Sequence, residues 1–167
     1  LPKDIYPHFC ITPHNLFPMC DACQEKKGAK TGSAVDPRFF LHPYFDAFTA
    51  NQVVKLTINA PFNAPTFSLA AAPGLTVPQA SLVISHLREL AIEERYGHYF
   101  RGEHLRLLRL VGKMRTYNQD VAAGVENFRD MHVQKSPNSW EHVFFDSVMH
   151  NVLLMHYLIH EPLPAFL

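Results

Sequence analysis

Proline is spread so unevenly along this chain that it divides the chain before any motif is considered. Pro2, Pro7, Pro13 and Pro18 crowd the start, Pro37, Pro43, Pro61, Pro65 and Pro73 punctuate the segment 33–78, and none occurs between Pro78 and Pro137. Because proline fixes φ and has no N–H to donate, helix interiors exclude it. Residues 1–24 are therefore expected to be extended loop and short strand. Residues 33–78 are expected to be loops with a small sheet or hairpin, built from the β-rich runs Val53 to Ile58 and Thr66 to Leu69. Between these segments, Asp21 to Lys30 starts acidic and ends basic, as the helix dipole favours, and Gly28 and Gly32 limit a helix there to about two or three turns.

From Pro78 onward apolar residues recur at helical spacing: Leu82, Val83, Leu87 and Leu90, then Tyr96, Tyr99 and Phe100, then Leu105, Leu108 and Val111. They predict two or three helices joined near Gly97 or Gly102. Asn118 is placed to cap a helix from about Gln119 to Val133. The turn Ser136-Pro137-Asn138-Ser139 supplies a serine cap for a last helix from Trp140 to about His160. The expected fold class is α+β, with an all-helical C-terminal half. With 167 residues and 47% hydrophobic content, the chain has enough apolar material for a core, either as one domain or as a small module joined to a helical one.

Fifteen basic residues balance fifteen acidic ones, so bulk charge does not argue for nucleic acid and only a local patch can. The dense patch is Lys26, Lys27 and Lys30. No apolar run approaches the roughly 20 residues that cross a bilayer, and no secretory signal is visible in the sequence. The 3 cysteines cannot pair completely, which suits a reducing compartment, and a cytoplasmic protein is expected. Cys20 and Cys23 form a CxxC, a spacing that lets two thiolates reach one tetrahedral zinc across a tight turn, although two ligands do not close such a site. Free thiols or a redox pair are the competing reading. The strand, CxxC and long helix of a thioredoxin-like unit are absent from the pattern.

Asn15-Leu16, Cys20, Cys23, Gln24 and Lys27-Gly28 together resemble the second half of the HNH endonuclease motif, in which a catalytic His precedes an NL loop and a CxxCN or CxxCH that enters a helix. Leu1-Pro2-Lys3 is similar to the end of the Glu-His-x-Leu-Pro-Lys segment that carries this histidine in a bacterial branch of the family. His42-Pro43-Tyr44-Phe45-Asp46 is similar to an HPYFD element that follows there. The likeness is clear over residues 1–46 and loose beyond.

The resemblance implies a partial ββα-metal finger over 1–34, a loop and short-strand connector over 35–77 and a helical domain over 78–167. It also implies metal-dependent hydrolysis of DNA phosphodiester bonds. The catalytic His, expected just upstream of Leu1, would be general base on water, and Asn15 would hydrogen-bond its ring and hold its tautomer. Mg2+ or another divalent ion would stabilise the leaving 3′ oxygen, bound beside that His and by the residue after the second Cys, here Gln24 where the family has His or Asn. Structural Zn2+ would be held by Cys20 and Cys23, with the remaining ligands from an upstream CxxC or, locally, from Cys10 or His8. Lys3, Lys26, Lys27 and Lys30 would neutralise DNA phosphates. Proteins of this branch often act as effectors in anti-phage defence with an ATPase or another sensor subunit.

Two other readings compete. Gln24 and the neutral charge suit a zinc-stabilised module that binds nucleic acid or protein without cutting, and the amphipathic helices suit an interaction scaffold that docks a partner subunit or a second copy. His142, Asp146 and His150 fall on one face of the last helix, and His156 with His160 repeats the spacing. With no HExxH-like base beside them, they are read as satisfied structural histidines. Tyr44, Phe45 and Phe48 are read as core anchors, with His42 and Asp46 supporting the finger.

Overall fold

The two β-rich runs pair as expected. The computed structural model describes residues 19–134 and 136–165, in which strands β1 (Val54–Asn59) and β2 (Thr66–Ala71) form an antiparallel hairpin with Leu56 opposite Leu69 and Ile58 opposite Phe67. Burial alternates strictly along β1, so Val54, Leu56 and Ile58 enter the core while Lys55, Thr57 and Asn59 face outward. The outer edge of β1 has no third strand among the described residues. Side chains take its place: Gln52 Nε2 donates to the Val54 carbonyl at 3.0 Å, Ser147 Oγ to Leu56 at 2.7 Å and Asn151 Nδ2 to Ile58 at 2.9 Å.

Six α-helices accompany the hairpin among the described residues, so the fold is α+β. Helix α1 (Asp21–Lys27) stops where Gly28 turns to φ 47°, two turns along, as its glycine and charge pattern led us to expect. Helix α2 (Val77–Glu89) starts with Gln79 accepting from the Thr76 N–H at 2.9 Å. Helix α3 (Ile92–Thr116) corrects the expected joint at Gly97 or Gly102: it runs unbroken through both, and the chain bends earlier, at Ala91 with φ 49°. Glycine in a helix costs about 1 kcal/mol relative to alanine. The buried stripe of Phe100, His104, Leu107, Leu108, Val111 and Met114 outweighs that cost, since burying one such large apolar side chain contributes about 1.5 to 3 kcal/mol.

Helix α4 (Val121–Val133) is capped by Asp120, whose carboxylate accepts from Ala123 N–H at 3.1 Å, while the expected cap, Asn118, occupies a left-handed turn with φ 53°. Ser139 caps α5 (Trp140–His150), as expected. The single last helix expected to reach His160 is divided at Asn151 into α5 and α6 (Val152–His160). Asn151 causes the division: its Oδ1 accepts from Leu154 N–H at 3.0 Å as the α6 cap while its Nδ2 holds the β1 edge. At the other end of α6, the Arg115 guanidinium donates to the carbonyls of Tyr157, Leu158 and Glu161, satisfying the acceptors that a helix C-terminus leaves open.

Two apolar clusters result. The larger joins Leu56 and Ile58 to Phe100, Leu108, Phe144, Val148, Leu154 and Leu158. The smaller, around Val53, Val54, Val83, Leu87, Leu90 and Ile92, gathers Phe40, Leu41, Phe48 and Cys23 from the proline-rich half. Leu69, Tyr96 and Trp140 touch both.

Replacing Asn151 with alanine removes a helix cap and leaves the Ile58 carbonyl without its donor, so we expect a loss of about 2 to 3 kcal/mol in urea unfolding. Asn151→Asp keeps the cap acceptor but not the donor and is expected to fall between; a loss below about 0.5 kcal/mol in the alanine variant would contradict the double role.

Candidate nucleic-acid interface

Cys20 sits at the N-cap of α1 and Cys23 in its first turn, both as free thiols. They are met by a residue distant in sequence: Arg95, on α3, places Nη1 3.1 Å from Cys23 Sγ and Nη2 3.8 Å from Cys20 Sγ, and Nη1 also donates to the Leu90 carbonyl at 3.3 Å. Contact with Cys23 and then with the Arg95 cation holds the Cys20 thiol below its ordinary range, favouring the thiolate that a metal requires. Among the described residues no group of three or more His, Cys, Asp or Glu is placed to hold a metal. The donor chemistry of the CxxC thus fits half of a zinc site, and the expected local substitutes Cys10 and His8 lie outside the described residues. So do Asn15 and Lys3.

The polar side of α1 faces a cleft of about 460 Å³, whose walls include Gln24, Lys27, Lys30, Arg38, His42 and Phe45. Three of the residues singled out in the sequence, Gln24, Lys27 and Lys30, are therefore brought together, whereas Lys26 is exposed on α1 away from the cleft lining. All three formally charged residues on the lining, Lys27, Lys30 and Arg38, are cationic. Lys27 Nζ stands 5.5 Å from the Phe40 ring centroid, Lys30 pairs with Glu89 at 3.1 Å, and Arg38 pairs with Asp46 at 2.6 Å. The side chains of Lys30 and Arg38 each keep 49% exposure, so both remain within reach of an anion in solvent.

The opposite wall is a braced turn. Buried Asp46 accepts from His42 N–H at 2.6 Å and from Arg38, and its own carbonyl accepts from Thr49 Oγ1 at 2.8 Å. This bears out a structural role for Asp46 and corrects the reading of its neighbours: Tyr44 and Phe45 are 55% and 68% exposed, and only Phe48 packs against the smaller cluster. The side chains of a tight turn diverge, and Asp46 takes the inward position. Upstream, Gly32 lies against the Pro37 carbonyl, where an added Cβ would come within 2.3 Å, so the loop closes only with glycine there. Leu41 N–H donates to His86 Nδ1 at 3.1 Å, tying this wall to α2. Burial pushes the His86 pKa down to about 4, partly offset by the Asp46 charge, and burial likewise lowers that of His42.

Of the histidines on the last two helices, only His142 has the buried position expected of a structural residue, and His150, His156 and His160 are exposed. His142 is buried with Nδ1 3.4 Å from the Arg129 carbonyl, and His150 is exposed and 3.3 Å from Asp146, so the two do not converge on a common point. A second cleft, of about 570 Å³, lies between β1 and α5, but its Ser147 and Asn151 are engaged by strand carbonyls and its Asp146 by His150. Sequence reasoning missed Arg95 and Arg38. Arg95 is 72 residues from Cys23 and no local pattern announces it; Arg38, four residues before His42, was open to notice as another cation beside the HPYFD element. No family model, characterised protein or solved structure matches the chain.

Two measurements follow from this geometry. The unfolded chain protonates His86 near 6.5 but the folded one only near 4, so stability is fully present above 6.5 and falls as pH drops through that window. We expect His86→Gln to flatten the difference in urea unfolding free energy between neutral and acid pH, by an amount on the order of 3 kcal/mol; parallel profiles would refute the assignment. In metal-free protein, Arg95→Ala should move the pH profile of Cys20 alkylation to higher pH, with Arg95→Lys shifting it less. An unmoved profile would remove Arg95 from the site.

Proposed function

We propose that this chain is the nucleic-acid-engaging part of a metal-dependent HNH-type endonuclease that hydrolyses DNA phosphodiester bonds. The observation that carries the reading is the convergence of Gln24, Lys27 and Lys30, singled out by their places in the motif, on one cationic cleft beside the CxxC. A phosphodiester backbone brings one negative charge per nucleotide, and a cleft lined by lysine and arginine with no carboxylate lining among the described residues suits it. Arg38, unforeseen from sequence, lines the same cleft with its charge paired to Asp46 and half of its side chain open to solvent.

In this reading Cys20 and Cys23 hold half of a structural zinc site, with Arg95 balancing the thiolate charge from α3. Lys27, Lys30 and Arg38 position the backbone. Asn15 orients a histidine base upstream of Leu1, and Gln24 offers its amide oxygen to the catalytic ion. A divalent ion held at Gln24 would supply charge stabilisation to the leaving oxygen. Hard cations such as Mg2+ prefer anionic oxygen, and Gln24 would give only a neutral one, so the substrate phosphate would have to contribute to holding the ion.

A second reading, binding without cleavage, is favoured by one specific observation: no Asp or Glu lines the cleft among the described residues. Plasmid incubation with full-length protein and Mg2+ or Mn2+ separates the two. Cutting is expected, with Asn15→Ala lowering its rate by about 10²-fold or more, the lower bound for a disabled general base. The joint Lys27→Ala and Lys30→Ala change should weaken binding and make the remainder less salt-dependent. Wild-type protein that binds but never cuts would favour the binding module, and cutting undiminished by Asn15→Ala would refute the role given to that residue.

A further inference from the structure

The cations of the cleft have partners inside the fold, Glu89 for Lys30, Asp46 for Arg38 and the Phe40 ring for Lys27, whereas its exposed aromatic wall is left open. Phe45 lines the cleft with 68% of its surface open, on a turn held rigid by the buried Asp46 carboxylate. Its ring is supported by the His42 imidazole, with centroids 4.5 Å apart and planes inclined by 34°. Tyr44, on the same turn, is 55% exposed. Isolated exposed apolar residues are common on proteins and need no explanation. Phe45 differs because it shares one cavity with Lys27, Lys30 and Arg38, and because the turn that presents it is braced by two hydrogen bonds to Asp46.

A duplex offers phosphates to cations but hides its base faces inside the stack, so an aromatic wall gains nothing from it. A single strand offers both phosphates and open base faces, and a positive groove interleaved with aromatic rings is the arrangement that binds it without sequence preference. We propose that the cleft takes single-stranded nucleic acid, with backbone phosphates along Lys27, Lys30 and Arg38 and a base stacked on Phe45. This names the strandedness of the substrate and rests on the nucleic-acid reading above. DNA and RNA single strands share the backbone charge and the base faces that the cleft recognises.

The test is fluorescence anisotropy with full-length protein and no added divalent ion, using a labelled oligothymidine, an oligouridine and a duplex of equal length. Wild-type protein should bind a single strand about tenfold or more tighter than the duplex, as expected when a base stacks on one ring. The tighter of the two homopolymers identifies the sugar. Phe45→Ala should collapse that preference, Phe45→Leu should do the same while keeping apolar bulk, and Phe45→Trp should preserve it. Thermal melting of each variant separates lost stacking from lost folding. Equal or tighter binding of the duplex by wild type, or an unchanged preference in folded Phe45→Leu, would overturn the single-strand assignment and leave the nucleic-acid reading standing. Failure of wild type to bind any of the three would overturn both.

Discussion

A two-stranded hairpin cannot bury its own apolar face or satisfy its own outer edge, and the rest of this structure is arranged around supplying both. The inward side chains of β1 are divided between two cores: Val54 belongs to the cluster beneath the proline-rich loops, Leu56 and Ile58 to the cluster within the helices. The outer carbonyls of the same strand are closed by Ser147 and Asn151 from α5 and its end. An unpaired strand edge would template pairing with other chains, and these side-chain donors occupy its acceptors. The hairpin is therefore the joint through which the two halves of the chain hold one another.

The candidate site is held by contacts that the helical half makes with it directly. Asn138, in the turn before α5, donates to the carbonyls of Thr49 and Asn51 at 2.8 Å and accepts from Val53 N–H at 2.8 Å, fixing the approach of the loop to β1. The same loop carries Asp46, Phe45 and His42 into the cleft wall, and His86 on α2 holds it at Leu41. Helix α1 has no buried residue of its own and gains its position from partners elsewhere, namely Arg95 at the thiols, Glu89 at Lys30 and Phe40 beneath Lys27. An element this short does not persist alone, since helix nucleation is costly and most helical stability comes from packing. The geometry of the CxxC and of the cationic cleft thus depends on the helical half of the chain.

Much of the fold was legible because its signals are local. Proline exclusion, β-branched runs, apolar periodicity and the Ser139 cap each act within a few residues, and they placed β1, β2, α2 and α4 near their observed spans and fixed the start of α5. Two of the failures share one cause, which is that a distant partner overrode a local preference, and the third is a local competition between neighbouring caps. Continuous burial carried α3 through Gly97 and Gly102, the β1 edge recruited Asn151 and divided the last helix, and Asp120 displaced Asn118 as the cap of α4.

The sequence by itself determined the elements and the chemistry available to them: a CxxC at a helix start, lysines along that helix, aromatic residues in an HPYFD turn, and no bulk charge to attract nucleic acid from afar. Only the tertiary structure decided which of these share a surface. It set Gln24, Lys27 and Lys30 against Arg38 and Phe45, sent Lys26 elsewhere, and brought Arg95 to the thiols. The physical reason is that capping, turn formation and periodicity are fixed by neighbours along the chain, whereas convergence on a site is fixed by which apolar faces must be buried together, and that choice is made across the whole molecule.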